Sequence, residues 1–261
     1  MPPDEPAVET GADFEPSRTG VVEGRALWDG ELPQSPPISA WLQSEGGIKV
    51  TVRNPLVPMV NPESRAIADA VIFLRGVDPR KSKPWDHSAV VVEQRDYQIR
   101  ILQGQQTGQV GFVRRGDEIE MVSRQEAFHS LHLSGAEWTT LAFPDPDVVR
   151  RRALRHSGMV ELASNAGYWW ARGFLFVDDH PYYAHTDEHG YFRLEQVPAG
   201  DYELVCWLPG WKHVKHTRDP ESALITRTVL EPPLEVVRNV MIEPNATSTI
   251  RFAVQHESVK P

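Results

Sequence analysis

The sequence predicts an all-β protein, and three observations carry that expectation. Apolar segments of strand length recur along the chain, several with strict period-two alternation. Turn pairs such as Asp29-Gly30, Arg115-Gly116, His189-Gly190 and Ala199-Gly200 separate them. The 22 prolines and 18 glycines are spread over all 261 residues, and no long helical periodicity survives between them. Many short strands without long helices specify a sandwich or a barrel. Hydrophobic residues make up 40% and charged residues 24%, enough apolar material for a sizeable core, which excludes wholesale disorder.

Residues 1–18 are acidic, proline-rich and nearly free of large apolar groups, so they are expected to remain a flexible tail. Val21 to Trp28 is the first strand and ends at Asp29-Gly30. Ile48 to Val52 alternates, whereas Ala70 to Leu74 is a continuous apolar run, the pattern of a strand covered on both faces. Ala89–Val92, Tyr97–Leu102, Glu118–Val122, Phe128–Leu133, Met159–Leu162 and Phe174–Val177 follow. After His180 come Tyr191–Leu194, Tyr202–Trp207, Leu224–Val229, Val236–Ile242 and Thr249–Val254. One stretch, Asp145 to His156, is compatible with a helix; its arginines 150, 151, 152 and 155 are expected to form a solvated basic face.

Charge and cysteine content narrow the function classes. A formal net charge of -9 argues against a nucleic-acid binder, which needs a basic face. The single cysteine, Cys206, excludes an internal disulfide framework and a cysteine-based zinc cluster. Within the Tyr202–Trp207 strand it is expected to be buried and inert. No apolar run approaches the roughly 20 residues that span a bilayer, so no transmembrane segment is expected. The N-terminus shows neither the basic start nor the apolar core of a signal peptide.

The most specific pattern is His185-Thr186-Asp187-Glu188-His189-Gly190-Tyr191-Phe192-Arg193-Leu194, continuing through Val197-Pro198-Ala199-Gly200-Asp201-Tyr202-Glu203-Leu204. It reads as a hairpin: Gly190 supplies one turn, Pro198 and Gly200 a second, and Phe192 and Leu194 share a face with period two. The run resembles the motif TD-x-x-G-x-F-x-L-x-x-V-P-x-G-x-Y-x-L of the carboxypeptidase regulatory-like domain, a transthyretin-like sandwich. Val22-Glu23-Gly24-Arg25-Ala26 and Ala68 to Leu74 resemble that family's earlier strands. In the family the hairpin follows soon after them, whereas here it is delayed by about a hundred residues, which implies an insertion.

The insert, residues 84–178, resembles a cupredoxin. Val110 to Ser123 is similar to the strand, turn and strand that precede that family's first copper histidine, and His129 stands where that histidine belongs. Gly158 to Leu162 resembles the strand entering the ligand loop, and Ser164 to Trp170 occupies the loop. The family carries Cys, His and Met there, and the thiolate and imidazoles build the type 1 copper site. At those positions this chain has Ser164, Gly167 and Trp170, so of the four ligand positions only His129 is kept, as a relict metal residue. The resemblances together imply an all-β fold in which a transthyretin-like β-sandwich, residues 19–83 plus 179–261, is interrupted by a cupredoxin-like Greek-key β-sandwich, residues 84–178.

Other chemistry-bearing residues are weighed against packing roles. On a strand, His129 and His132 point to opposite faces. His180, His185 and His189 flank the hairpin, and His213 and His216 would share a face on a helix. None comes with the acidic neighbours of a metal motif. Ser164 beside His129 has the makings of a nucleophile and base, but no orienting carboxylate or nucleophile elbow accompanies the pair. The aromatic triplet Tyr168, Trp169 and Trp170 is the candidate binding surface; its packing alternative is a plug at the domain junction. Three successive aromatics cannot all face inward on an extended segment.

Neither family resemblance implies an enzyme. The expectation is a non-catalytic, extracytoplasmic or periplasmic interaction or envelope-associated module, with no cofactor and with another protein or a glycan as partner. The alternative is a metal-binding or electron-transfer cupredoxin in which His129 and other histidines hold copper.

Overall fold

The computed structural model describes residues 9–42, 48–126, 128–164, 168–218, 220–221 and 225–256. In chain order the strands are β1 (Thr19–Trp28), β2 (Ile38–Leu42), β3 (Ile48–Val52), β4 (Met59–Val60), β5 (Ile67–Ala68), β6 (Val71–Arg75), β7 (Val90–Arg95) and β8 (Gln98–Gln103). They continue with β9 (Gln106–Gly108), β10 (Val110–Arg114), β11 (Glu118–Ser123), β12 (His129–Gly135), β13 (Thr139–Phe143), β14 (Arg150–Ala153), β15 (Gly158–Ser164) and β16 (Arg172–Asp178). The last are β17 (Tyr183–His185), β18 (Tyr191–Pro198), β19 (Gly200–Leu208), β20 (His213–Arg218), β21 (Ile225–Leu230), β22 (Leu234–Ile242) and β23 (Thr247–Val254). Among the described residues there is no α-helix, so the all-β expectation holds; short 3-10 turns occur at Pro16–Arg18 and Pro79–Lys81.

Four larger sheets order the molecule. The first is β18-β1-β23, the second β17-β6-β19-β22, the third β10-β16-β15-β12-β13 and the fourth β14-β11-β7-β8-β9. The chain leaves the second sheet after β6, builds the third and fourth with β7 to β16, and re-enters the second at β17. There Tyr183 pairs antiparallel with Phe73 on β6. Two apolar cores separate the layers. One holds Val22, Phe192 and Phe252 of the first sheet, Ile72, Leu74, Leu204 and Trp207 of the second, and Phe112 and Phe176 of the third. The other lies between the third and fourth sheets, around Val92, Ile101, Met121, Leu131, Leu162 and Leu175.

Alternation explains how one strand serves both cores. Along β16, Phe174 and Phe176 belong to the first core and Leu175 and Val177 to the other. Along β10, Val110 and Phe112 face the first core and Val113 the other. Gly111 lies between them because the fourth sheet approaches closely: a Cβ there would stand 2.7 Å from Cγ2 of Ile101. Phe176 packs on Phe73 at 5.4 Å and on Trp207 at 5.1 Å between ring centroids. Burying each such side chain contributes about 1.5–3 kcal/mol. The apolar run of β6 is thereby covered on both sides, as its lack of alternation requires.

Four sequence expectations need correction. The Tyr191–Leu204 run is not a hairpin. β18 pairs with β1 and β19 with β6 and β22, so the chain turns a corner between two sheets at Pro198-Ala199-Gly200. Ala199 is fixed there by donating its backbone N–H to the carbonyl of Arg18. Arg150–Ala153 is a strand rather than part of a helix: it pairs antiparallel with β11, and Arg151 meets Glu120 of that neighbour at 2.7 Å. Residues 9–18 are not a free tail, because Gly11 and Asp13 donate backbone N–H groups to the carbonyls of Pro79 and Arg80 at 2.9 and 2.7 Å. Residues 1–8 lie outside the described residues. The hairpin β2-β3, in the segment 19–83, packs Ile38, Val50 and Val52 on the core of the third and fourth sheets rather than on the first.

The Thr186-Asp187-x-x-Gly190 pattern has a local cause. The Thr186 hydroxyl accepts from the backbone N–H of Ala70 at 2.9 Å and donates to the carbonyl of Ile67 at 2.7 Å. The Asp187 carboxylate accepts from the backbone N–H groups of His189 and Tyr191 at 2.9 and 2.8 Å. Gly190 closes the turn with φ +73°, and a Cβ there would lie 2.5 Å from the carbonyl oxygen of Ala26.

Candidate functional site

Two places deserve the name of a site. The first is the end of the core between the third and fourth sheets, where the sequence placed His129. By alternation His129 faces inward with Leu131 and Leu133, and His132 faces outward. His129 is 1% exposed, and its ring lies 5.1 Å from the ring of Tyr168. Gln94 and Ser123, register partners on β7 and β11, are also fully buried. Both amide atoms of Gln94 are buried without a hydrogen-bond partner among the described residues. This polar end of an otherwise apolar core was not legible in the sequence, since Gln94 reads as an ordinary strand-end residue.

The residues present do not fit a type 1 copper ion. Ser164 ends β15 opposite Leu131, and a hydroxyl is not a thiolate. Cys206, the single cysteine, is buried in β19 of the second sheet, with its thiol pushed up to about 12 by burial. Tyr168 covers the histidine ring. Gly167, at the position of the family's second histidine, lies outside the described residues. Among the described residues no group of three or more His, Cys, Asp or Glu is placed to hold a metal ion.

The aromatic triplet divides. Tyr168 and Trp170 are each 2% exposed, so they cannot form the binding surface expected of them. Tyr168 packs on Tyr97 at 5.3 Å, and the Trp170 indole N–H donates to the backbone carbonyl of Tyr97 at 2.8 Å. Only Trp169 is partly exposed. It packs at the edge of that core, against Trp170 at 5.6 Å, and also meets His213 and His216 edge-on at 4.5 and 5.1 Å. The two histidines share a face on a strand, not a helix. A register irregularity between His213 and Lys215 brings their rings within 5.1 Å. Burial, aided by the neighbouring His216 and Arg172, holds the His213 pKa below its ordinary value.

The second site is a groove of about 600 Å³ beside Trp169. It exists because the second sheet covers only part of the third. Phe174 and Trp207, whose rings meet at 5.2 Å, form its apolar side, and the register partner of Phe174, Glu161 on β15, also faces the groove, as do Ala163 and, from β12, His132 and Ser134. The alternations Leu131-His132-Leu133-Ser134 and Val160-Glu161-Leu162-Ala163 encode this polar face, a signal available in the sequence.

Arg172 fixes the groove walls. Its guanidinium pairs with the Glu161 carboxylate and donates to the carbonyls of Trp169 and Thr228 at 3.3 and 2.8 Å. Trp138, in the turn between β12 and β13, lines the groove with 73% of its surface exposed. Its ring stands edge-on to His132 at 4.8 Å, and His132 Nδ1 is bonded to the Thr140 hydroxyl at 2.9 Å. The other singled-out histidines do not converge here: His180 is buried and His189 is exposed.

No protein-family model matches the chain, and no curated protein does. Among solved structures, it is similar to an oxidised mutant of amicyanin, with 17% identity, 34% of this chain and 81% of that chain covered, and a TM-score of 0.27. It is also similar to a Cu(I) form of another amicyanin mutant, with 16% identity, 41% and 97% covered, and the same TM-score of 0.27. No helix among the described residues is long and apolar enough to cross a membrane.

Proposed function

We propose that the protein is a non-catalytic, extracytoplasmic binding module. In this reading a transthyretin-like sandwich of the carboxypeptidase regulatory type hosts a cupredoxin-like sandwich that has lost its type 1 copper centre. The Thr186-to-Leu204 pattern and the Val110-to-Ser123 pattern support the two family assignments, and the departure and return of the chain at β6 and β17 support the insertion. The observation that carries the copper-free reading is the packing of Tyr168 over His129, with a serine where a thiolate would be needed. Its binding surface is the groove beside Trp169, a polar, aromatic-lined concavity that the described residues leave open next to the former ligand loop.

The test is a copper titration of the whole chain, followed by metal analysis and visible absorption. The expected result is no intense visible band, in the wild type and in His129→Ala alike. An intense band in the wild type that vanishes in His129→Ala overturns the reading in favour of a working cupredoxin.

A further inference from the structure

The groove's chemistry goes beyond a generic contact surface, and we infer that it binds a neutral oligosaccharide. This assignment rests on the reading of the protein as a binding module. A pyranose offers an apolar C–H face and a rim of hydroxyl groups. It is held by an exposed aromatic ring of fixed orientation together with planar polar side chains that meet hydroxyls edge-on. The groove supplies both. Trp138 presents a 73% exposed indole, braced edge-on by His132 at 4.8 Å. Trp169, braced by His213 and His216, lines the same groove. Between them the lining includes the Glu161 carboxylate, the His132 imidazole and the Ser134 hydroxyl.

Charge selects the class of sugar. Arg172 is the only Lys or Arg among the described lining residues, and its guanidinium is committed to Glu161 and to the carbonyls of Trp169 and Thr228. No cation is left for a sulfate or uronate, and the net charge of -9 disfavours an anionic polymer. Both lining carboxylates are already partnered, Glu161 by Arg172 and Glu231 by His256 Nε2 at 2.9 Å, so a cationic ligand gains little. A protein partner is the less fitting occupant. Protein anchors seat in dry apolar pockets from which charged groups are depleted, whereas this concavity has a carboxylate and a guanidinium in its lining.

The experiment titrates the whole chain, by tryptophan fluorescence and calorimetry, with three neutral hexasaccharides: β-1,4-linked glucose, α-1,4-linked glucose and β-1,4-linked N-acetylglucosamine. A heparin hexasaccharide is the anionic control. At least one neutral probe is expected to saturate the signal, and Trp138→Ala is expected to weaken it about tenfold or more while the melting temperature holds, because the ring is exposed. Failure of all three at millimolar concentration overturns the inference in favour of a protein occupant and leaves the copper result untouched. Tighter binding of heparin, or binding that Trp138→Ala does not alter, also overturns it. Chromatography of the sugar after incubation separates the two readings: shortened oligosaccharide would keep the groove as the sugar site and refute the non-catalytic assignment.

Discussion

Arg172 Nη2 and the backbone carbonyl of Thr228 are joined by a 2.8 Å hydrogen bond across 56 positions of sequence. The bond ties the third sheet to the β20-β21 hairpin, and the same guanidinium holds Glu161 and the backbone of Trp169. Replacing Arg172 with Ala is expected to cost about 2 kcal/mol, the range for hydrogen bonds to a charged group. Arg172→Lys should recover little, because a point ammonium cannot serve three acceptors in a planar fork. Urea unfolding of the three proteins checks this; a lysine variant as stable as the wild type would show that the charge alone matters.

Arg115 and Asp179 form a more deeply buried pair, with Nη2 to Oδ2 at 2.7 Å and side chains only 5% and 13% exposed. Removing the cation leaves a carboxylate in a poorly solvated place, so Arg115→Met is expected to cost about 3–5 kcal/mol. The measurement is the denaturant midpoint at constant slope. A cost below about 1 kcal/mol, typical of exposed pairs, would mean that water reaches Asp179.

Stability should fall on mild acidification. His87, His180, His185 and His213 all have pKa values lowered, in each case chiefly by burial. For His180 the nearby Asp178 opposes the shift without cancelling it. The unfolded chain takes up these protons near pH 6.5, before the folded chain does, so it binds more protons throughout the window below that value. The contribution is complete above about pH 7 and is lost as pH falls through about 6.5 toward the folded values. Urea midpoints taken between about pH 7.5 and 5.5, above the carboxylate range, should decrease steadily. A flat or rising profile would contradict the burial of these rings.

Cys206 should be inert in the native protein. It is 1% exposed, and burial pushes its thiol up to about 12, so almost no thiolate exists at neutral pH. A thiol reagent is expected to react only at the rate of unfolding and stoichiometrically in strong denaturant. Rapid labelling under native conditions would place the side chain at the surface.

Much of the β architecture was legible because alternation and turn chemistry are local properties. Phe192 and Leu194 are buried and Arg193 is exposed, as their spacing requires, and the unbroken run of β6 marks a strand with neighbours on both faces. What escaped depends on distant partners. Arg150–Ala153 carries no apolar signal; it is extended because β11 offers Glu120 across the pair. Nothing in Pro198-Ala199-Gly200 distinguishes a hairpin from a corner, since the difference lies in which strands wait on either side. The burial of Tyr168 and Trp170 rests on Tyr97, more than seventy positions away from Trp170, and the groove needs the β20-β21 hairpin to close one side of it.

The double duty of β10 and β16 bears on how such a chain can change through descent. Phe112, Phe174 and Phe176 are committed to one core while Val113, Leu175 and Val177 are committed to the other, on the same two strands. A lineage that discarded or transplanted either half would have to recolour one whole side of both strands in the same step, or leave three phenylalanines facing water. Gradual drift within each half remains open, whereas recombination at this boundary is penalised, so the two halves are bound to be inherited as one piece.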